Sequence, residues 1–352
     1  MSAAGPLQRA LHRLWQTRTV QSVLIGAAGG TLFYALGMPA PWISGALLAV
    51  AVAALAGVRV GLIDWLRQLA FIGLGFSMGT SVTPDILSQL ALWPASLAIL
   101  AACVATTALA LSAYLRLVHR WDAATAGFSA VPGAFSYVLA MAMRSQALVP
   151  RVAVSQLLRL LALALLLPLL LGGLETAAAA APEVDPIRAG PLELLAALVA
   201  CGVVGVICER LGVPAGTLLG AMIASVVIHG SGLTDARIPP GLLVFGFVVT
   251  GTVIGVRFRN VELRLILATL APGLATVILG LVISGGFALL AATLLDLPVG
   301  QLWLAYAPGG VEVMAIMALA LDLDPAFVGV HHALRFMALS VAIPIWLRQH
   351  LR

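Results

Sequence analysis

One helical turn past Pro308-Gly309, in an otherwise apolar run, stands a single carboxylate, Glu312. Charge is costly in such a setting, so a residue of this kind is expected to carry a proton or hold a cation. Arg159 and Arg335 also lie within apolar runs. There they can act as an anion clamp, as a counter-ion to Glu312, or as neutralisers of helix-end carbonyls. Gln156 and His332 precede them by one turn on the same helical face and read as polar lining. Adjacent His331 would point about 100° away from His332, so the pair cannot share a metal ion. With no HxxxH or HExxH spacing anywhere, no metal, cofactor or catalytic residue set is expected. Tyr137 and Tyr306 are weaker candidates for lining.

The backbone carries chemistry as well. Pro132-Gly133 and Pro308-Gly309-Gly310 fall at the centres of apolar segments. Proline removes an amide donor and crowds the preceding turn, so each segment breaks into two half-helices. The first half ends in free carbonyls that attract cations; the second starts with free amides that attract anions. Gly133, Gly309 and Gly310 leave the backbone open to a ligand. Ser136 holds the place in the first break that Glu312 holds in the second.

These correspondences belong to a duplication. LGMPAPWISGALLAVA over 36–51 matches LGVPAGTLLGAMIAS over 211–225, and GLGFSMG over 73–79 matches VTGTVIG over 249–255. A shift of 175 or 176 positions also carries Val131-Pro132-Gly133 onto Ala307-Pro308-Gly309, Arg159 onto Arg335 and Pro168 onto Pro344. Duplicated hydrophobic halves are a common construction of secondary transporters.

Of 352 residues, 62% are hydrophobic and 9% charged, and the mean hydropathy of +1.09 excludes a soluble globular domain. Apolar stretches of about 18 residues or more recur, each long enough to cross roughly 30 Å of hydrocarbon. The net charge of +5 is carried by arginines alone. They cluster in short loops, where positive charge sets topology, and no nucleic-acid partner is expected. Cys103, Cys201 and Cys208 lie in apolar segments with no CxxC pair and read as small buried hydrophobes.

The expected organisation is an amphipathic interfacial segment over 1–19, a membrane repeat over 20–171, an external linker over 172–191 and a second membrane repeat over 192–352. Apolar segments fall near 20–36, 41–58, 66–82, 92–117, 123–143 and 152–171, and near 192–210, 215–229, 240–256, 265–295, 299–321 and 327–347. If the Pro-Gly segments cross, there are twelve spans and the halves run parallel. If they fold back as hairpins, each half has five spans and the repeats are inverted. With a cytoplasmic amino terminus, the second topology puts every arginine outside the spans, except Arg188 and Arg237, on the inner side; the first splits them far more evenly. The positive-inside rule selects the inverted arrangement. The fold class is therefore an all-α polytopic membrane protein of two inverted five-helix repeats, each with a re-entrant Pro-Gly hairpin before its last helix. Gly75/Gly79, Gly251/Gly255, Gly26/Gly30 and Gly216/Gly220 read as close-packing pairs.

The duplicated unit, APGG-V-E-V-M at 307–314 and the V-x-H-x-x-x-R run ending at Arg335 resemble the AbrB family of duplicated bacterial membrane proteins. That family is also catalogued under ammonia monooxygenase and aidB-regulator headings. Its signature stands here at Pro308, Gly309, Gly310, Glu312 and Met314, whereas the first half reads VPGAFSYVLAMA, without the second glycine or the acid. The spans and hairpins look like the glutamate- and citrate-type carrier architecture.

The function expected from these observations is secondary transport of a small anionic or zwitterionic solute, coupled to protons or sodium, at the two break points in mid-membrane. The site would comprise Pro132, Gly133, Ser136, Gln156, Arg159, Pro308, Gly309, Gly310, Glu312, His332 and Arg335. The alternatives are a membrane regulator or sensor working through a partner protein and, behind it, a metal-dependent monooxygenase. The expected setting is the bacterial inner membrane with both termini cytoplasmic. The expected partners are lipid, solute and coupling ion, with a homodimer as a further expectation.

Overall fold

A computed structural model describes residues 6–80, 92–132, 135–174 and 190–350, with the side chains of these except 6–15, 173–174 and 347–350. Gly133 and most of the expected linker fall outside the described residues.

Among the described residues there are fourteen helices and no strand. The first half holds α1 (Pro6–Ala35), α2 (Pro41–Leu55), α3 (Asp64–Thr80), α4 (Trp93–Leu117), α5 (Ala123–Ala130), α6 (Phe135–Ala142) and α7 (Val149–Leu174). The second holds α8 (Pro191–Arg210), α9 (Gly216–Gly230), α10 (Pro240–Val256), α11 (Leu263–Leu295), α12 (Val299–Tyr306), α13 (Val311–Ala320) and α14 (Pro325–His350). The 175- or 176-position shift carries the first residues of α2, α3, α5, α6 and α7 onto those of α9, α10, α12, α13 and α14. The duplication thus reaches the helix starts.

Helices α4, α7, α8, α11 and α14 are long and apolar enough to cross a membrane, consistent with a polytopic membrane protein. Pro168 and Pro344 lie inside α7 and α14 without ending them. Helix α1 runs unbroken from Pro6, so the interfacial segment and the first apolar segment share one helix. Helices α2 and α9 have 15 residues, α3 and α10 have 17. At about 1.5 Å per residue they are shorter than the hydrocarbon is thick. They are held inside the protein by glycine contacts. A Cβ on Gly75 would lie 2.3 Å from the Leu218 carbonyl oxygen, and one on Gly251 would lie 2.5 Å from that of Ile43. Backbones come that close only where one partner has no side chain.

The packing sorts the helices into two groups. Helices α1–α3 pack with α8–α10, and α4–α7 pack with α11–α14. Across the boundary, backbones come near each other where α2 meets α7 and α3 meets α13 and α14, and α9 side chains such as Leu219 and Met222 join Val311 and Ala315 of α13 in one apolar cluster. Each group draws equally on both halves of the sequence, and both Pro-Gly breaks lie in the second group.

Candidate functional site

The two breaks are built alike. Val131 and Ala307, each just before a proline, adopt extended backbone at φ −66°, ψ 124° and φ −54°, ψ 143°. Crowding by the proline ring drives the preceding residue there, ending α5 and α12. The next helices start at Phe135 and Val311.

The carbonyls exposed by these endings are met by the last helix of each half. Gln156 Nε2 donates to the Phe128 oxygen at 2.8 Å, and Arg159 donates to the Ser129 and Val131 oxygens at 3.2 Å each. In the second half His332 Nε2 meets the Leu304 oxygen at 2.8 Å, and Arg335 donates to Ala307 at 2.7 Å and also to Gly309. Phe128 and Leu304 are equivalent positions, as are Val131 and Ala307. His332 Nε2 faces a carbonyl and therefore carries the ring proton, leaving Nδ1 to accept from Arg335 at 2.7 Å. Arg159 likewise bonds Gln156 Oε1. Arg159 and Arg335 are 4% and 5% exposed. No carboxylate lies within ion-pair distance of either among the described residues. Of the roles weighed for these arginines, capping of helix-end carbonyls is the one their bonds serve.

In front of the breaks lies a cleft of about 160 Å³. Pro132, Ser136, Gly309, Gly310, Glu312, His332 and Arg335 line it. Gln156, Arg159 and Pro308 sit behind it, with Pro308 packed towards Gly280. Tyr137 and Tyr306 do not line it: the first donates to the Ser340 oxygen at 2.7 Å, and the second is buried beside Ser96 at 2.9 Å. Ser96 also meets His331 Nε2 at 2.9 Å. His331 therefore belongs to a buried network tying α4, α12 and α14, away from the cleft.

Glu312 has a different partner from the one expected. Its carboxylate is 3.8 Å from Arg257, not paired with Arg335. Arg257, just past α10, also lies over the Phe135 ring at 5.7 Å. One guanidinium from the first helix group thus touches the start of α6 and the start of α13, bridging both breaks. In the sequence Arg257 looks like an ordinary loop arginine, and nothing local marks it. Behind Glu312 a second cavity of about 150 Å³ is lined by Arg67, Glu209 and Thr217. Arg67 and Glu209 pair at 3.0 Å.

A family model described as "Transition state regulatory protein AbrB" matches residues 42–350. A protein of Escherichia coli (strain K12), whose name gives it as a candidate regulator AbrB, is 26% identical over 338 residues, covering 94% of each chain.

Proposed function

This chain belongs to the AbrB family, and we propose that it is a secondary active transporter rather than an enzyme. It moves a small anionic or zwitterionic solute across the bacterial inner membrane, coupled to protons or sodium. The observation that carries this reading is the meeting of both Pro-Gly breaks in one cleft with a carboxylate, at the boundary between two helix groups. Broken helices around a shared polar cavity are how carriers build solute sites. Three cleft features favour a negatively charged group: Arg257, Arg335 and the amide end of α13.

Contact order supports inverted repeats. Along α3, Gly75 approaches Leu218 and Ala221, then Gly79 approaches Met222 and Ser225, so α3 and α9 run the same way. Along α10, Gly251 approaches Ile43 and Ala46, then Gly255 approaches Leu47 and Val50, so α10 runs with α2. The short link over 56–63 reverses the chain between α2 and α3. Helix α9 then opposes its own counterpart α2, as inversion requires; twelve spans would give the reverse. Re-entrant hairpins have similar support. The Leu148 amide donates to Thr125 Oγ1 at 2.8 Å, which brings the chain after α6 back to the first turn of α5. Helix α7 then climbs beside α5, and α14 beside α12. With the inner-side arginines, these contacts favour two five-span repeats and both termini in the cytoplasm. The solute and coupling ion meet the protein within the bilayer, no nucleic acid is involved, and the chain pairs as a homodimer.

The names attached to the family and its relative favour one other reading, a regulator acting through a partner protein. A thermal-shift screen of small anions on detergent-purified protein, followed by flux in vesicles under pH or sodium gradients, separates the two. A binding anion should move only with a gradient, and Glu312→Gln should abolish the coupled flux while staying folded. Binding without any gradient-driven flux would leave the regulator.

A further inference from the structure

Arg335 cannot serve as the cleft's main anion receptor, because both its terminal nitrogens already bond carbonyls and His332. Arg159 does not reach the cleft. Arg257 can serve. Its ion pair with Glu312 is 3.8 Å long, beyond hydrogen-bond range, and the two side chains are 31% and 28% exposed. We propose that Arg257 binds a carboxylate group of the solute, that this anion competes with Glu312 for the guanidinium, and that the displaced Glu312 takes up a proton. The proposal rests on the transporter reading and names its substrate class and coupling ion.

The charge count is what makes the competition a coupling device. Empty, the pair Arg257⁺/Glu312⁻ is neutral. With an anion on Arg257 and Glu312 still ionised, this pair carries one extra negative charge, whereas Arg335, held by its carbonyls, contributes the same charge in every form. A proton from the solution, added to a Glu312 carboxylate oxygen, restores neutrality. The two neutral forms can change access across the bilayer cheaply, whereas the forms carrying net charge cannot. One proton therefore accompanies the one carboxylate that Arg257 binds. The site's geometry adds a mechanical link, since Arg257 belongs to one helix group while Glu312 and Phe135 belong to the other. Releasing Glu312 loosens one of the contacts between the groups.

The charged and titratable groups facing Glu312 come from several elements. Arg257 stands at the end of α10, His332 and Arg335 on α14, and Arg67 on α3 with Glu209 on α8 behind it. Arg67 is paired with Glu209 and Asp64, and Arg335 with carbonyls. Arg257 is therefore the partner whose loss leaves Glu312 uncompensated.

The test uses acetate, lactate and succinate as probes, with purified full-length protein and the variants Arg257→Gln, Glu312→Gln and Glu312→Asp. Stabilisation of the wild type by at least one carboxylate should be stronger at pH 5.5 than at pH 7.5, and unaffected by replacing sodium with choline. Glu312→Gln, a mimic of the protonated acid, should bind that carboxylate equally at both pH values. Glu312→Asp should keep the pH dependence. Arg257→Gln should weaken binding roughly tenfold or more, with its melting curve in the absence of probe checking that it folds. Unchanged binding by Arg257→Gln, persistent pH dependence in Glu312→Gln, a sodium requirement, or no carboxylate binding to the wild type each overturns the proposal. Proton-linked binding without flux in vesicles would instead overturn the transporter reading and leave the Arg257–Glu312 competition intact. Gradient-driven flux of another solute would do the converse.

Discussion

The guanidinium of Arg335 donates to the carbonyl oxygen of Ala307 at 2.7 Å, at the point where α12 is broken by Pro308. The bond supplies the end of a half-helix with the donors that the rest of the helix would have given. Arg159 does the same for Val131 at 3.2 Å. The protein has thus used its two buried cations to close the carbonyl ends of its breaks, leaving the amide end of α13 to face the cleft.

Removing either arginine should destabilise the fold, and unequally. Arg335→Ala strands the Gly309 carbonyl and the His332 acceptor in a buried site and leaves the Ala307 carbonyl only the Gly309 amide, a loss on the order of 3 kcal/mol. Arg159→Ala should cost less, about 1–2 kcal/mol, because its carbonyl bonds are longer. Lysine at 335 should recover only part of the loss, since it lacks the planar fork. Melting temperatures in detergent would read the order. A larger drop for Arg159→Ala than for Arg335→Ala would contradict this assignment.

The proline breaks, the duplication and the matching arginines were legible in the sequence because their causes are local. A proline acts on its own turn, and a repeat is visible wherever it occurs. What could not be read was anything set by helix adjacency. Arg257 sits in an unremarkable RFRN stretch, and only the packing of α10 against α2 and α3 carries it to Glu312. Tyr306 looked like a lining residue, and His331 had no role assigned beyond not sharing a metal with His332. They are instead satisfied by Ser96, a residue of α4 far away in the chain. The short helices α2, α3, α9 and α10 showed as apolar runs with close-packing glycines, but the partners of those glycines, such as Leu218 for Gly75, follow from helix adjacency alone.

Those contacts give a contrasting pair of substitutions. A Cβ at Gly251 meets the Ile43 carbonyl oxygen at 2.5 Å and the Ala46 side chain at 2.8 Å, so Gly251→Ala must push α10 from α2. We expect a loss of about 1–3 kcal/mol. Gly286 has nothing within 4 Å of its Cβ position, and alanine there should stabilise α11 by up to about 1 kcal/mol. Equal behaviour of the two variants in a melting or limited-proteolysis assay would rule out the close packing.

Topology can be tested at two exposed arginines. In a background with Cys103, Cys201 and Cys208 replaced by alanine, Arg144→Cys should react with an impermeant maleimide only from the cytoplasmic side. Arg237→Cys should react only from the opposite side. Labelling of Arg144→Cys from outside would mean that α5 and α6 cross the bilayer together, giving twelve spans.

The last prediction concerns two alanines at equivalent positions. Ala40 and Ala215 both precede a short helix with left-handed backbone, at φ 46° and φ 52°, yet their surroundings differ. Ala215 lines both cavities, while Ala40 is 3% exposed. If the two halves exchange environments during transport, this difference marks one end of the cycle, and the other end should reverse it. Without solute, Ala215→Cys should react with a small charged thiol reagent about tenfold faster or more than Ala40→Cys, a bias of roughly 1.4 kcal/mol between the two access states. Under gradient-driven turnover the rates should converge, as protection at 40 is lost and protection at 215 is gained. Rates that stay fixed while solute moves would mean that the two halves do not exchange environments, and that access to the cleft is controlled by another movement.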